Sequence, residues 1–341
     1  MRILIDITHP AHVHFFKNAA LIWKKHGHDV RFVARDKEIT LRLLEGLNIQ
    51  YTKLSHIRKG LLGLTIELIE HDFHLIQFVK RFKPDIMLNI GGTFIVHVGK
   101  LLGIKTCVFT DTEHAKLSNA ITFPFATWIC TPTCFDGDLG DKHIKYDGYQ
   151  ELAYLHPNYF QPNPTILNKL EIKTEERYFL LRFISWGASH DIGKQGIVTE
   201  NKVRLVHGLE KYGKVLITSE SSLPDELTPY QISVSPIHIH DLLFYAFMYI
   251  GEGATMATEA ALLGTPSVYI NPLSSGNLAE IIERYRLIVH VPNGNSAYHQ
   301  IIDLAANNKL GKIQQSRRDS LIREKIDVTT WMVKLIESIN Q

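Results

Sequence analysis

The segment Gly251–Pro272 combines glycines, a predicted helix and one acidic side chain in a spacing that suits phosphate and sugar chemistry. An apolar strand over Phe247–Ile250 leads into a Gly-x-Gly turn, and a helix follows with Glu259 one turn inside it. Glycines let a ligand approach the backbone closely, and the first turn of a helix offers unpaired N–H groups to a phosphate. The carboxylate could accept hydrogen bonds from a ribose diol. The segment therefore predicts a site for a nucleoside diphosphate.

A second candidate is the histidine-containing stretch Thr8–Phe16, which reads Thr-His-Pro-Ala-His-Val-His-Phe-Phe. We expect it to join a strand over Arg2–Ile7 to a helix over His12–His26. A strand-to-helix turn of an α/β sheet points its residues at the ligand crevice. Histidine can act near neutral pH as a general base on an acceptor hydroxyl, so His12 and His14 are candidate catalytic residues. The alternative is that both only cap and solvate the first helical turn.

The elements that would position these residues alternate between apolar strands and amphipathic helices in both halves of the chain. Such alternation predicts parallel sheets with helices on both faces. Residues 156–164 interrupt the pattern, because their prolines lack the N–H that a helix or a central strand needs. We therefore predict an α/β fold of two Rossmann-like domains whose sheets face each other across a cleft. The predicted domains cover 1–155 with a returning helix at 326–341, and 165–325, with 156–164 as the linker.

Composition narrows the class of protein. The 341 residues exceed one ordinary core, and 45% hydrophobic and 21% charged residues are typical of a globular protein. The net charge of +2, without a strongly basic segment, argues against nucleic acid as a partner. Three cysteines without a CxxC pair predict reduced thiols, and neither a signal peptide nor a membrane-length apolar run is recognised. We expect a cytoplasmic protein without a bound metal.

The segment Gly251–Pro272 resembles the nucleotide-sugar half-site of the GT-B glycosyltransferases. It is most similar to the bacterial UDP-N-acetylglucosamine transferases that make lipid II, and is also similar to the UDP-N-acetylglucosamine 2-epimerases. The resemblance implies that Glu259 binds the ribose hydroxyls, and that Gly253, Ala254 and Thr255 bind the phosphates. His12 matches the histidine that ends a glycine-rich loop in the lipid II enzymes, although Thr8–Ala11 replaces the glycines.

The same resemblance extends to the acceptor side. The Gly-Gly-Thr turn that contains Gly92 is similar to a Gly-Gly-Tyr turn of the lipid II enzymes, and Asp111 and Glu113 lie in a later loop that also lines the acceptor site there. Asp111 is thus a candidate base, and Gly92 and Glu113 are candidate substrate-binding residues. A helix cap at Asp111 is the competing interpretation. The epimerases carry an aspartate in the first of these turns, and its absence here favours transfer over epimerisation.

The start of the second domain carries the remaining candidates. GT-B proteins place basic and small polar residues after the first strand of this domain, which implies that Arg182 and Ser189 neutralise the departing diphosphate. A guanidinium suits this role because it pairs bidentately with phosphate oxygens, although a structural salt bridge is the alternative for Arg182. In the same proteins a short segment before the Gly-x-Gly turn contacts the nucleobase, which implies that Ile237 packs on the base.

The resemblance implies an enzyme of an uncharacterised branch of this superfamily that occurs in polysaccharide biosynthesis. The expected reaction is glycosyl transfer from an NDP-sugar, with a UDP-sugar as the first candidate donor, to a hydroxyl of a carbohydrate or lipid-linked acceptor. This reaction is expected to need neither a metal ion nor a cofactor. The alternatives are a 2-epimerase or NDP-sugar hydrolase, and a non-catalytic nucleotide-sugar-binding protein. Arg58–Leu68 mixes basic and apolar residues, for which core packing is preferred over peripheral contact with the inner face of a membrane. The oligomeric state stays open.

Overall fold

Two separate parallel sheets arise from the strand–helix alternation. They belong to two units, one of Met1–Tyr159 with Lys325–Gln341 and one of Phe160–Glu324. The structure is a computed structural model that describes residues 1–37, 39–58, 60–113, 115–184, 197–272, 275–294 and 297–339, without the side chains of Leu61 and Leu62.

The first unit is built on a seven-stranded sheet. Its strands are β1 Arg2–Ile7, β2 Asp29–Asp36, β3 Tyr51–His56, β4 Ile86–Ile90, β5 Lys105–Phe109, β6 Trp128–Pro132 and β7 His143–Tyr146. Its helices before residue 160 are α1 Pro10–Lys25, α2 Thr40–Gly46, α3 Gly60–Phe82, α4 Thr93–Leu102, α5 Lys116–Thr122 and α6 Leu152–Leu155. The spatial order is β3-β2-β1-β4-β5-β6-β7, so the order reverses between β1 and β4.

The second unit is built on a five-stranded parallel sheet. Its strands are β8 Tyr178–Phe183, β9 Lys214–Ser219, β10 Met248–Gly251, β11 Ser267–Ile270 and β12 Ile288–Val291. Its helices are α7 Thr165–Lys169, α8 Thr199–Leu209, α9 Ile239–Tyr245, α10 Ala254–Leu263, α11 Gly276–Glu283, α12 Ala297–Ala306 and α13 Leu310–Glu324. The order is β12-β11-β10-β8-β9, which reverses between β8 and β10. Open α/β sheets bind ligands outside the carboxyl ends of their strands at such points.

The two faces of the second sheet differ in chemistry. One face carries alternate apolar side chains, such as Phe179, Leu181 and Ile250, which pack in a core with residues of α8 and α12. The opposite face lies under α9 and α10, since the Ser267 hydroxyl donates to the Ala257 carbonyl at 2.9 Å. This face includes Arg182, Tyr249 and Gly251, because Arg182 pairs with Gly251 in the ladder. The α9–α10 side, which carries Arg182, is the polar face of this sheet.

A last helix, α14 Val328–Ser338, belongs to the first unit. The Asp327 side chain caps it by accepting the Thr330 N–H at 2.9 Å, and the Thr329 hydroxyl donates to the Ala153 carbonyl at 2.7 Å. The predicted α/β class with two parallel sheets is confirmed. Strands β6, β7 and β12 were not predicted. No helix among the described residues is long and apolar enough to span a membrane.

Candidate functional site

Gly251 lies at the carboxyl end of β10, next to the point where the strand order of the second sheet reverses. A Cβ atom here would collide with the Tyr249 hydroxyl oxygen and would lie 3.1 Å from the Arg182 carbonyl oxygen. Close packing therefore explains why the first residue of the predicted turn is a glycine.

The N-terminus of α10 follows directly. Gly253 is its N-cap residue in extended backbone, and no described side chain caps it by a hydrogen bond. Gly253 and Ala254 are half-buried and Thr255 is exposed. This ten-residue helix thus presents unpaired N–H groups and the positive end of its dipole at its first turn. A Cβ at Gly253 would make only an ordinary contact, at 3.6 Å from the Ile184 side chain.

Glu259 lies inside the same helix and is almost completely buried. Its Oε1 lies 3.0 Å from Nε2 of His240 on α9, and the two side chains are only 6% and 5% exposed. Alanines at 257, 260 and 261 surround it on α10. A buried carboxylate needs a donor to offset its desolvation, and the imidazole supplies one. This partner of Glu259 was not predicted from the sequence.

Glu252 lies in the candidate site but was not among the residues predicted from the sequence. It is fully buried, and its carboxylate accepts the backbone N–H of Ile184 at 3.1 Å and of Ile197 at 2.8 Å. Its own carbonyl accepts from the Asn271 side chain at 2.9 Å. Glu252 therefore ties the end of β8 to the turn after β10. An acidic residue between two glycines at the end of an apolar strand was the signal that could have revealed it.

Arg182 lies on the same face as Gly251, at the end of β8. Its Nη2 donates to Oε1 of Glu220 at 2.8 Å, with the Arg182 side chain 27% exposed. The guanidinium thus forms the salt bridge that was the alternative interpretation, and it remains partly open to solvent. Ile237 is half-buried in the short helix Pro236–His238 that precedes α9. Ser189 lies outside the described residues.

In the first unit, α1 begins at Pro10 and not at His12 as predicted. His9 caps the helix, because its Nδ1 accepts the Ala11 N–H at 3.3 Å, and proline at the first helical position needs no N–H partner. His12 and His14 therefore lie in the helix, within the predicted range His12–His26, and both are buried and not solvated.

His12 is neutral in this environment. Burial, with the nearby charges of His9 and Lys37, holds the pKa of His12 well below its usual value. Nδ1 lies 3.4 Å from the backbone nitrogen of Thr8, which donates to it. A neutral imidazole that accepts at Nδ1 carries its proton on Nε2. In this tautomer His12 can donate a hydrogen bond to a ligand, whereas a general base needs a free lone pair. His14 packs against the Tyr154 ring, with 5.2 Å between the ring centroids.

Gly92 lies in the turn between β4 and α4, at the carboxyl edge of the first sheet. Its N–H donates to Oδ1 of Asn89 at 2.7 Å, and Nδ2 of Asn89 donates to the Asp6 carbonyl. The φ angle of Gly92 is 70°, and a Cβ there would collide with the Val108 side chain. A turn conformation and close packing therefore both require glycine at this position.

Asp111 follows β5, and burial raises the pKa of its carboxyl group, although the hydrogen bond from Thr112 opposes this. The Thr112 hydroxyl donates to Oδ1 of Asp111 at 3.0 Å. Glu113 accepts the Asp136 backbone N–H at 3.3 Å. A carboxylate with a raised pKa is a stronger base than a carboxylate with an ordinary pKa. Asp111 therefore has the chemistry that a proton acceptor needs.

A buried polar cluster of the first unit was also missed. The Ser55 hydroxyl lies 2.8 Å from Nδ1 of His71, whose Nε2 lies 3.4 Å from Oδ1 of Asp6. All three residues are at most 1% exposed, so the cluster is closed to solvent. Glu67, one turn before His71 on α3, pairs with Arg35. The available signal was the spacing of Glu67 and His71, which places them on one face of the predicted helix.

The remaining predictions concern metal and lipid contact. Among the described residues, no group of three His, Cys, Asp or Glu side chains could hold a metal ion. The preference for core packing of Arg58–Leu68 is wrong for Leu64 and Ile66, which are 48% and 45% exposed. Arg58 pairs with Glu70 at 2.9 Å.

Comparisons with known proteins agree with this architecture. A model of the family described as "protein of unknown function (DUF354)" matches residues 1–337. A curated relative, the uncharacterized protein MJ0665 of Methanocaldococcus jannaschii, is 24% identical over 298 residues, which cover 83% of this chain and 86% of the relative.

Two solved structures share the fold at low identity. The UDP-GlcNAc 2-epimerase of Methanocaldococcus jannaschii has a TM-score of 0.65 at 13% identity, covering 90% of this chain and 94% of its own. The spinosyn forosaminyltransferase SpnP has a TM-score of 0.65 at 14% identity, covering 99% of each chain. The fold is thus that of the GT-B glycosyltransferases and the UDP-GlcNAc 2-epimerases.

Proposed function

The chain belongs to the DUF354 family, and we propose that it binds a nucleoside-diphosphate sugar in its second unit and transfers the glycosyl group to an acceptor hydroxyl. Structures of the same fold are named as a glycosyltransferase and a UDP-GlcNAc 2-epimerase, which supports a UDP-sugar as donor. UDP-N-acetylglucosamine is the first donor to test.

One observation carries this proposal: the N-terminus of α10, which no described side chain caps, and the buried carboxylate of Glu259 lie on one short helix beside the reversal of strand order. Phosphate oxygens suit the N–H groups of the first helical turn. A carboxylate suits the hydroxyls of a ribose. A Cβ at Gly253 would make only an ordinary contact with the described residues, so none of them requires glycine there, and a glycine allows close approach of a phosphate.

The reaction needs a base and a stabilised leaving group. As the acceptor oxygen attacks the anomeric carbon, its proton passes to a carboxylate, and Asp111 is the proposed base. The bond from the anomeric carbon to the diphosphate oxygen breaks, and the nucleoside diphosphate leaves with the electron pair. The N–H groups of the α10 turn stabilise that charge, together with Arg182 once it exchanges Glu220 for phosphate. His12 would donate from Nε2 to an acceptor or sugar oxygen.

A thermal-shift panel with UDP, GDP and CDP tests the nucleotide site. We expect at least one of them to raise the melting temperature of the wild type, and we expect E259A to abolish that shift. E283A, an exposed glutamate on α11, is the matched control and should retain the shift. If none of the three nucleotides shifts the wild type, the proposal fails.

Turnover separates the three candidate activities. Release of nucleoside diphosphate only when an acceptor is added supports transfer, and D111N should then slow the reaction about 100-fold or more. Release without an acceptor indicates a hydrolase, and inversion at the sugar C2 indicates an epimerase. The epimerase is the second candidate because a solved epimerase shares the fold. Binding without any turnover indicates a nucleotide-sugar-binding protein.

The acceptor is proposed to be a carbohydrate or lipid-linked hydroxyl in the cytoplasm, within polysaccharide or glycoconjugate synthesis. The exposed apolar side chains of α3, among them Ile69 at 65% and Phe73 at 57%, support peripheral contact with a membrane that carries such an acceptor. Sedimentation with anionic vesicles tests this contact. We expect the wild type to sediment and an I69S/F73S variant to stay in solution.

A further inference from the structure

The buried pair of His240 and Glu259 connects two helices on the polar face of the second sheet. The distance from His240 Nε2 to Glu259 Oε1 is 3.0 Å. A carboxylate has no hydrogen to give when ionised, so the imidazole donates from Nε2. Rotation about the last side-chain bond of glutamate is otherwise broad, and this hydrogen bond restricts it.

The helix that carries His240 is itself held in place. The Tyr178 hydroxyl donates to the Leu242 carbonyl, and the Thr265 hydroxyl donates to the Leu243 carbonyl at 2.8 Å. Asp241 accepts the Asn163 N–H at 2.9 Å. The His240 imidazole therefore has little freedom to move relative to the sheet.

The ring of His240 is also enclosed on another side. The Phe160 ring meets it edge-on, at 87° between the ring planes and 6.5 Å between the centroids. His240 contacts the carboxylate that the proposed function assigns to the ribose.

From these contacts we propose that His240 is a positioning residue that fixes the Glu259 carboxylate for a 2′,3′-diol and thereby sets selectivity for ribonucleotides over 2′-deoxyribonucleotides. This role rests on the proposed function, because it requires a nucleotide at Glu259. A fixed carboxylate receives two ribose hydroxyls without reorganising, whereas a carboxylate that rotates freely gains less from the second hydroxyl.

Three variants of His240 separate positioning from packing. H240F keeps a flat ring of similar size but has no N–H to give to Glu259. H240Q places an amide N–H where Nε2 lies and should restore the contact. H240N has a shorter side chain, whose amide lies where Nδ1 of His240 lies and does not reach Glu259. It should lose the contact as H240F does, and it replaces H240F in the experiment if H240F does not fold. H238A is the control, because His238 faces Asp241 at 3.6 Å.

Calorimetric titration with UDP, GDP and CDP and with their 2′-deoxy counterparts tests the role. We expect the wild type to prefer a ribonucleotide by about tenfold or more, as a hydrogen bond to a charged group allows. H240F should lose most of that ratio while its affinity for the deoxynucleotide changes less than about threefold, and H240Q and H238A should retain the ratio.

The possible failures are distinguishable. A wild type that binds none of the six nucleotides overturns the proposed function and this role with it. A wild type that binds with the expected ratio, together with an H240F variant that keeps the ratio, overturns the positioning role alone. Loss of the ratio in H240Q and H238A as well as in H240F also overturns it, because the effect would then be general disruption of α9.

Discussion

Glu252 accepts the backbone N–H of Ile197 at 2.8 Å, across 55 residues of sequence. The same carboxylate accepts the N–H of Ile184 at 3.1 Å. Ile184 and Ile197 are the nearest described residues on either side of residues 185–196. A single buried side chain therefore sets where both of these positions lie relative to the Gly-Glu-Gly turn.

Replacing Glu252 with glutamine should destabilise the second unit. In E252Q one oxygen of the side chain becomes an NH2 group that faces a backbone N–H, so one charge-assisted hydrogen bond is lost and a donor faces a donor. We expect the free energy of unfolding to fall by about 2 kcal/mol, measured by chemical denaturation. E283Q, at an exposed position on α11, should change it by less than about 0.5 kcal/mol. Equal stability of E252Q and the wild type would contradict the assigned hydrogen bonds.

The packing of Tyr249 against Gly251 predicts a non-additive pair of substitutions. G251A should cost about 1–3 kcal/mol of stability, because the new methyl group collides with the Tyr249 hydroxyl. Y249F alone should be neutral or stabilising, because no described group forms a hydrogen bond with that buried hydroxyl. The double variant should recover part of the loss in denaturation experiments. If the two effects simply add, the collision is not the cause.

Replacing Asp72 should change the free energy of unfolding by an amount that grows with pH. Burial raises the pKa of Asp72 to about 6, so the folded state binds its proton more tightly than the unfolded state does. Stability from this group is present at low pH and is lost as pH rises towards 6. D72N should therefore be as stable as the wild type near pH 4 and more stable above pH 6, by roughly 1 kcal/mol after allowance for partial exposure. The exposed Asp141 provides the control D141N, which should show no such pH dependence.

Titration of His12 should change stability with pH in the opposite direction. Because burial lowers the pKa of His12 well below 6.5, the unfolded state takes up a proton that the folded state does not. Stability is complete above pH 6.5 and falls below it, by up to about 1.4 kcal/mol per pH unit from this group. H12N keeps an acceptor for the Thr8 N–H and does not titrate, so its acid sensitivity should be smaller than that of the wild type. H56N, at an exposed position, should leave the acid sensitivity unchanged.

The strand–helix–strand segment 248–270 could be predicted because its signals are local. Gly264 adopts φ 83° and ends α10, and an apolar run on each side forms β10 and β11, as the sequence indicated. The parallel class followed from the same alternation. By contrast, β7 is a strand of four residues, three of them half-buried or exposed and one a buried tyrosine, and such a pattern is weak in sequence.

The start of α1 shows where local signals compete. Pro10 suits the first position of a helix, yet the polar stretch around it also suits a loop. Packing decided the outcome, since Val13, Phe15 and Phe16 are buried in the core and continue the helix back to Pro10. His12 and His14 are buried in this helix for that reason.

The sequence by itself determined most of the elements and their parallel arrangement, because glycines, prolines and apolar periodicity act over a few residues. Only the tertiary structure decided which side chains meet. Glu259 with His240, Asp6 with His71, and Glu252 with Ile184 and Ile197 come from different elements, and their contacts exist only after the sheets form. Burial then fixes those pairs, because a charge removed from water is stable only beside a partner.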